Sequence, residues 1–331
     1  MECDFFYKET NECYFCKGTR LNFHSKANYW KIVELNFAEC ENCGLIFANP
    51  MPRMEIVGEG NRALNILHGS RGTLSQYRGG KEFALILRRI SDTGIFLDIG
   101  CAEGIFLKAV EENSHWKAEG VEIIDSAVEF ARNRLGISVH KGTLETMENA
   151  EERYSYIRMN NVIEHVQNPL SFVKKANQIL KRNGRVYCST PNGVQDSQVL
   201  KVANKRGFKI NLLENHFFYY PPKTLREIFK TSGFQITHSY SEDISHSLQD
   251  FGILSKFNYE PDRDEFNLTY YKDKTNINFS VSEDELNSYF NHPSVKNWKI
   301  LANRYKREIF RFRFPYYIPL GHQQHIYARK K

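Results

Sequence analysis

From about residue 95 the apolar positions fall into an alternating pattern. Short continuous runs, as buried strands carry, are followed by stretches in which apolar residues return every three or four positions, as on one face of a helix. Ile95–Ile99 is the first run, and Phe106, Leu107, Ala109 and Val110 follow at helical spacing. Ala118–Glu122, Ile137–His140, Tyr156–Asn160, Arg185–Thr190 and Phe234–His238 read as further strands, with Gln324–Lys331 as a last strand returning to the sheet. Helices are predicted over Ala127–Leu135, from about Leu170 to Leu180 with Asn183-Gly184 as its C-cap, and up to Ser232-Gly233. This alternation predicts an α/β fold with a mostly parallel, Rossmann-like sheet of seven strands. Upstream, Tyr29–Phe37 alternates like a strand and Phe83–Ile90 reads as a helix. Residues 241–320 break the repeat, with a polar, aromatic section and a long helix predicted from about 283 to 311. The expected organisation is an N-terminal module over 1–50, a helical linker or cap over 51–92, the α/β domain over 93–240, an insertion over 241–320 and the last strand at 321–331.

The turn after the first strand carries the most chemistry. Asp98 closes the apolar run, and Gly100, Ala102 and Gly104 put small residues at alternate positions, so that backbone turns tightly and a ligand can lie against it. A dinucleotide fingerprint needs glycine at the first, third and sixth positions, whereas counting from Gly100 gives Ala102 and Ile105. Gly58–Ala63 imitates that fingerprint, but a helix stands where its second strand belongs. Leu97-Asp-Ile-Gly-Cys-Ala-Glu-Gly104, Gly120-Val-Glu122, Val162-Ile-Glu-His-Val166 with Asn168-Pro169, Leu180-Lys-x-x-Gly184 and Ser189-Thr-Pro-Asn192 occur in order. Together they resemble the class I S-adenosylmethionine-dependent methyltransferases, in particular the group associated with sugars and surface polysaccharides. The resemblance implies that Asp98, Gly100, Ala102 and Gly104 hold the methionine end of the cofactor. Glu122, an acid at the end of the second strand, is placed to accept the ribose hydroxyls. Thr143 and Leu144, within Gly142–Glu145, pass beside the adenine, and Asn160 closes the fourth strand at the same edge. Two positions depart from the family pattern: Ala102 replaces the middle glycine, and Ser155 stands where an acid is usual.

Methyl transfer asks mainly for alignment of the acceptor and removal of its proton. Glu164 and His165 after the fourth strand, and His216 after the fifth, are therefore candidate catalytic groups, each histidine also readable as structural. Tyr77, before the 83–90 helix, is a further candidate that could cover the cleft. Some O-methyltransferases of quinone and small-RNA pathways carry Glu-x-x-Glu-His here and bind a divalent metal, whereas this chain has Asn161-x-x-Glu164-His165. Cys13-x-x-Cys16 and Cys40-x-x-Cys43 supply the four thiolates of a closed, structural zinc site in a ribbon. Their setting also resembles the zinc-binding module that precedes sugar methyltransferases.

The 331 residues carry a net charge of +6 with Lys and Arg scattered, which points away from a dedicated nucleic-acid grip. Arg311–Tyr317 is the nearest basic–aromatic candidate and is expected to pack on the sheet. No apolar run reaches the length of a membrane span, no secretory signal is evident, and the seven cysteines read as thiols or ligands, so a cytoplasmic location is expected. The reading is a methyltransferase for a sugar, nucleotide-sugar or glycan-related acceptor, methylating oxygen or carbon. Its rivals are an RNA methyltransferase and a catalytically silent cofactor-binding scaffold.

Overall fold

The computed structural model describes residues 6–29, 33–53, 75–148, 150–205, 207, 211–212, 216–242, 314–315 and 321–331. The glycines at 58–63, the helix expected over 283–311 and most of the expected insertion lie outside these residues.

The main sheet contains β4 (Thr93–Ile99), β5 (His115–Glu122), β6 (Ser138–Lys141), β7 (Tyr154–Asn160), β8 (Leu180–Pro191), β11 (Phe234–Glu242), β12 (Phe314–Pro315) and β13 (Gln323–Lys330). Their order is β6-β5-β4-β7-β8-β13-β11-β12. The first five are parallel, and β13 runs antiparallel to both β8 and β11. All seven expected strands are therefore present, with β12 added as a two-residue edge. The central strands are buried on both faces: Phe96, Leu97, Ile157, Met159, Val186 and Cys188 expose no more than 1% of their surface, which is why they read as continuous apolar runs.

Helices α2 (Ile105–Glu112), α3 (Asp125–Leu135), α4 (Pro169–Ile179), α5 (Gly193–Lys205) and α6 (Pro222–Thr231) connect or flank the strands. Helix α1, described over residues 75–90, buries Phe83 against Phe96, Phe106 and Tyr156 at ring-centroid distances of 5.1, 5.5 and 5.2 Å. Asn168 caps α4 by accepting from the Ser171 N–H at 3.1 Å, and Pro169 occupies the first turn, where its missing N–H costs nothing.

Helix α4 ends at Ile179, not at the expected Asn183-Gly184 C-cap. Leu180 is already paired with Tyr154 of β7, and Arg185 is the next residue in register, so residues 181–184 form a bulge with Asn183 at φ 62°. Pairing with a neighbouring strand has overridden the local cap signal.

The second sheet is β10-β3-β2-β1-β9, built from β1 (Leu21–Tyr29), β2 (Val33–Cys40), β3 (Ile46–Ala48), β9 (Asn211–Leu212) and β10 (Phe218–Tyr219). The alternating stretch 29–37 is not one strand: Tyr29 pairs with Val33 across a hairpin, so its ends belong to β1 and β2. No helix among the described residues is long and apolar enough to cross a membrane.

Candidate active site

Strand order reverses between β4 and β7, the place where open α/β sheets bind ligands at the carboxyl edge. A cavity of about 730 Å³ runs along this edge. On the β5/β6 side it is lined by Gly100, Ala102, Glu122, Thr143 and Leu144; on the β7/β8/β13 side by Asn161, His165, Gln167, His216, His322 and Gln323.

The turn after β4 is left-handed three times, at Gly100 (φ 70°), Ala102 (φ 47°) and Gly104 (φ 75°). A Cβ on Gly100 would lie 2.7 Å from Val162 Cγ2, so this glycine is required by the contact between the β4 and β7 loops. Ala102 holds a conformation costing a side-chain-bearing residue about 1–2 kcal/mol, and its N–H donates to Glu122 Oε2 at 2.9 Å. Ile123 and Ile124 N–H groups donate to Oε1 of the same carboxylate at 2.8 and 3.0 Å. Burial raises the Glu122 carboxyl above its ordinary value, against the pull of these three bonds. A carboxylate has about four lone-pair sites, so a polar ligand in the cavity still finds an acceptor there.

Five of the expected cofactor residues, Gly100, Ala102, Glu122, Thr143 and Leu144, line the cavity. Asp98 does not. It is 1% exposed and both its oxygens accept from Arg158 Nη1 at 2.8 Å, while the guanidinium lies 4.0 Å above the Phe106 ring. Asp98 and Arg158 are cross-strand partners in the β4–β7 register, which places their side chains on one face. Burial raises the Asp98 carboxyl, opposed by Arg158. In this structure the carboxylate faces Arg158 and lies outside the cavity lining. Gly104 also stands back from the cavity, at the start of α2 beside Ala131. Asn160 accepts from the Ser189 hydroxyl at 2.6 Å behind the wall, and its neighbour Asn161 lines the cavity instead. The Tyr77 hydroxyl donates to Glu112 on α2 at 2.6 Å, away from the lining.

Glu164, His165 and His216 do come together: each offers a ligand atom within 4.8 Å of the others, and the two imidazole centroids are 5.2 Å apart. Glu164 is buried, with Thr190 Oγ1 donating to it at 2.8 Å and the Phe217 N–H donating to its backbone carbonyl at 2.9 Å. Asn161, at φ 53°, accepts from Gln323 Nε2 at 2.7 Å. His322 and Gln323 were not visible as site residues in the sequence. The signal lies in topology: an antiparallel last strand must begin where β8 ends, and Gln323 pairs with Pro191.

At the ribbon, Cys13, Cys16, Cys40 and Cys43 keep their sulfurs within 4.8 Å of one another, with Cys13–Cys43 at 3.6 Å and Cys16–Cys40 at 3.5 Å. Tetrahedral zinc with bonds of about 2.3 Å needs sulfurs about 3.8 Å apart, so the four residues fit that ion. The Phe15 N–H points at Cys13 Sγ at 3.4 Å, and Cys13–Gly18 and Cys40–Leu45 backbone bonds close the two knuckles. The Cys13–Cys43 contact lowers the Cys13 thiol and raises that of Cys43, as expected of two close sulfurs that share a proton.

A Rossmann-like sheet in this order, with a small-residue turn facing an acid at the end of the next strand, is the architecture expected of a class I S-adenosylmethionine-dependent methyltransferase domain. Residues 75–239 match the family model of a methyltransferase domain, and this stretch is such a domain. Curated relatives named ubiquinone biosynthesis O-methyltransferase resemble part of the chain. The one from Ruegeria sp. is 31% identical over 101 residues, covering 29% of this chain and 40% of that protein. The one from Nitrosospira multiformis is 27% identical over 124 residues, covering 35% of this chain and 51% of that protein. The chain thus spans only 40% and 51% of the length of these two relatives. A solved S-adenosylmethionine-dependent methyltransferase from Thermotoga maritima superimposes with TM-score 0.46 at 17% identity, over 84% of this chain and 97% of that one.

Proposed function

We propose that this chain transfers a methyl group from S-adenosylmethionine to an oxygen or carbon of a sugar, nucleotide-sugar or glycan-related acceptor. The observation that carries this reading is the meeting of His165 and His216 in the wall of the cavity that also holds Glu122, with the buried Glu164 beside them. Glu122 would hold the ribose hydroxyls, the Thr143–Leu144 turn would lie beside the adenine, and the Gly100–Ala102 loop would face the methionine part. When bound, the cofactor supplies an electrophilic methyl group. The chain then has to bring the acceptor into line and remove its proton. A neutral imidazole within hydrogen-bond reach of the acceptor does the second task, and His165 and His216 are the two groups placed for it. Gln323 and Asn161, bonded to each other, would close the floor beneath the acceptor. The sugar class itself is carried by the resemblance of the zinc module and the motif series.

The test is a pair of measurements on one preparation. Calorimetry with S-adenosylhomocysteine should give binding that Glu122→Ala weakens. Methyl transfer from labelled cofactor should then be scored on a panel of nucleotide sugars against catechol-type aromatics. Transfer confined to the aromatics would overturn the sugar class while keeping the methyltransferase. An RNA acceptor is the rival with a distinct signature, a log–log salt slope of about −0.7 per phosphate contact.

A second reading has its own observation. The three ligand atoms within 4.8 Å of one another also suit a divalent ion. Asn161 stands where the metal-binding pattern has a carboxylate and is engaged by Gln323, which favours general-base catalysis without metal. A mild chelator separates the two: general-base turnover persists, whereas metal-assisted turnover stops and returns with magnesium or manganese.

A further inference from the structure

The ribbon sheet is shared between two parts of the chain. β1, β2 and β3 belong to the four-cysteine module, but both edge strands, β9 and β10, come from the sequence between β8 and α6. On the β1 edge, Asn204 imitates a strand: its Oδ1 accepts from the Lys26 N–H at 2.6 Å and its Nδ2 donates to the Lys26 carbonyl at 2.9 Å. On the β3 edge, Phe47 pairs with Phe218 and Ile46 with Tyr219. Tyr14, between the first two cysteines, stands edge-on to Phe47 and Phe218 at 5.2 and 5.5 Å. Cys43 adds a direct tie, because its backbone carbonyl accepts from the Thr224 hydroxyl at the start of α6.

Phe217 is where this arrangement reaches the cavity. Its carbonyl accepts from the Ala48 N–H of β3 at 2.8 Å, and its own N–H donates to the Glu164 carbonyl at 2.9 Å. One fully buried residue thus joins the ribbon to Glu164, and it is the immediate neighbour of His216. The Glu122 side is tied differently, by bonds from Ala102, Ile123 and Ile124 within the β4–β5 region.

We infer that the four-cysteine module is a positioning element for the His216–Glu164–His165 side of the cavity, with Cys43, Phe217 and Thr224 as the residues that transmit its folded, metal-loaded state. The module acts through another residue and touches no reacting atom. Loss of the metal frees β3, removes the partner of Phe217 and lets His216 leave its place beside His165. The Glu122 side keeps its own bonds, so cofactor binding survives.

The experiment follows backbone exchange, which reports local opening independently of chemistry. Hydrogen exchange by mass spectrometry is recorded for the zinc-loaded chain, the chelator-stripped chain and zinc-loaded Thr224→Val and Thr224→Ser variants. S-adenosylhomocysteine affinity and zinc content are measured on each. In the stripped chain, segments 46–48 and 216–221 should exchange at least about tenfold faster together, equivalent to about 1.4 kcal/mol of lost local stability, while 98–104 and the affinity change by less than about twofold. Thr224→Val should keep its zinc and loosen 216–221, and Thr224→Ser should restore it. Stripping that loosens 40–48 but leaves 216–221 as before overturns the inference, as does a simultaneous collapse of cofactor affinity, which makes the zinc a general folding requirement. A Thr224→Val variant with parental exchange, or protein purified without chelator and free of zinc, overturns it equally. None of these readouts uses methyl transfer. A parent chain that fails to bind S-adenosylhomocysteine would defeat the proposed function and leave the exchange comparison to judge the coupling.

Discussion

The two sides of the cavity are built by opposite means. The β5/β6 side comes from one continuous stretch, residues 98 to 145, and works largely through backbone: a left-handed turn, and a carboxylate fixed by three main-chain N–H groups. The β7/β8/β13 side is assembled from segments far apart in the chain, around residues 161–168, 191, 216 and 322–323, and works through side chains. Backbone geometry tolerates sequence change and suits a ligand that stays the same. Side chains on separate segments can be exchanged one at a time, so this side can change its chemistry without disturbing the other. The comparison can be broken by mutations that should damage one side only.

The largest effect belongs to the side-chain half. His165→Ala and His216→Ala should each lower turnover by about 10²–10⁴-fold, the usual contribution of a positioned base, with S-adenosylhomocysteine affinity preserved in calorimetry. Loss of affinity with either variant would mean that the halves are not separable. Arg158→Leu comes next. It leaves the Asp98 carboxyl buried without its counter-charge, and breaking such a pair costs about 3–5 kcal/mol. The measurement is the denaturant midpoint, and a shift matching a surface substitution would mean that the pair is not buried. Glu122→Ala should weaken S-adenosylhomocysteine by about 10- to 150-fold, from charge-assisted bonds worth about 1.5–3 kcal/mol, without moving the pH profile of turnover at saturating cofactor.

The smallest effect is on acid sensitivity. Burial places the folded-state pKa of Glu122 above that of the unfolded chain, so the protonated form is favoured in the fold. Its contribution to folding stability is therefore present below the unfolded pKa and fades as pH rises through the folded one. On the proposed role of Glu122, cofactor binding has the opposite sign, because the ionised carboxylate is the stronger acceptor for ribose hydroxyls. Affinity measured by calorimetry should begin to fall on acidification at a higher pH than a surface glutamate would give. An affinity flat down to the ordinary glutamate range would contradict the burial of this group.

What could be read in the sequence follows the same division. The strands from β4 to β8 announce themselves because they are buried on both faces, and the Gly100–Gly104 turn and Glu122 fall within 25 residues of one another. The four cysteines were legible because their spacing is itself the ligand geometry. The direction of the Asp98 side chain was not legible, because a motif names a residue and says nothing of where its side chain turns. Arg158 was the missing clue, a cation inside an apolar strand that only the β4–β7 register pairs with Asp98. His322 and Gln323 were invisible for a related reason, since they lie 131 and 132 residues beyond Pro191 and meet it only through an antiparallel strand. Tyr77 looked free to cover the cleft, but Glu112 one helix away captures its hydroxyl.

The place of β13 has a consequence for how the chain is made. It slots between β8 and β11, both synthesised long before it, and about 90 residues separate the end of β11 from the end of β13. At roughly 5–20 residues per second, a ribosome needs about 4–18 s to cover that distance. For those seconds β8 and β11 each present an open edge of unpaired N–H and carbonyl groups, the kind that recruits foreign strands. The nascent chain is open to misassembly between the synthesis of β11 and that of β13, and a holdase acting in that interval should raise the soluble yield.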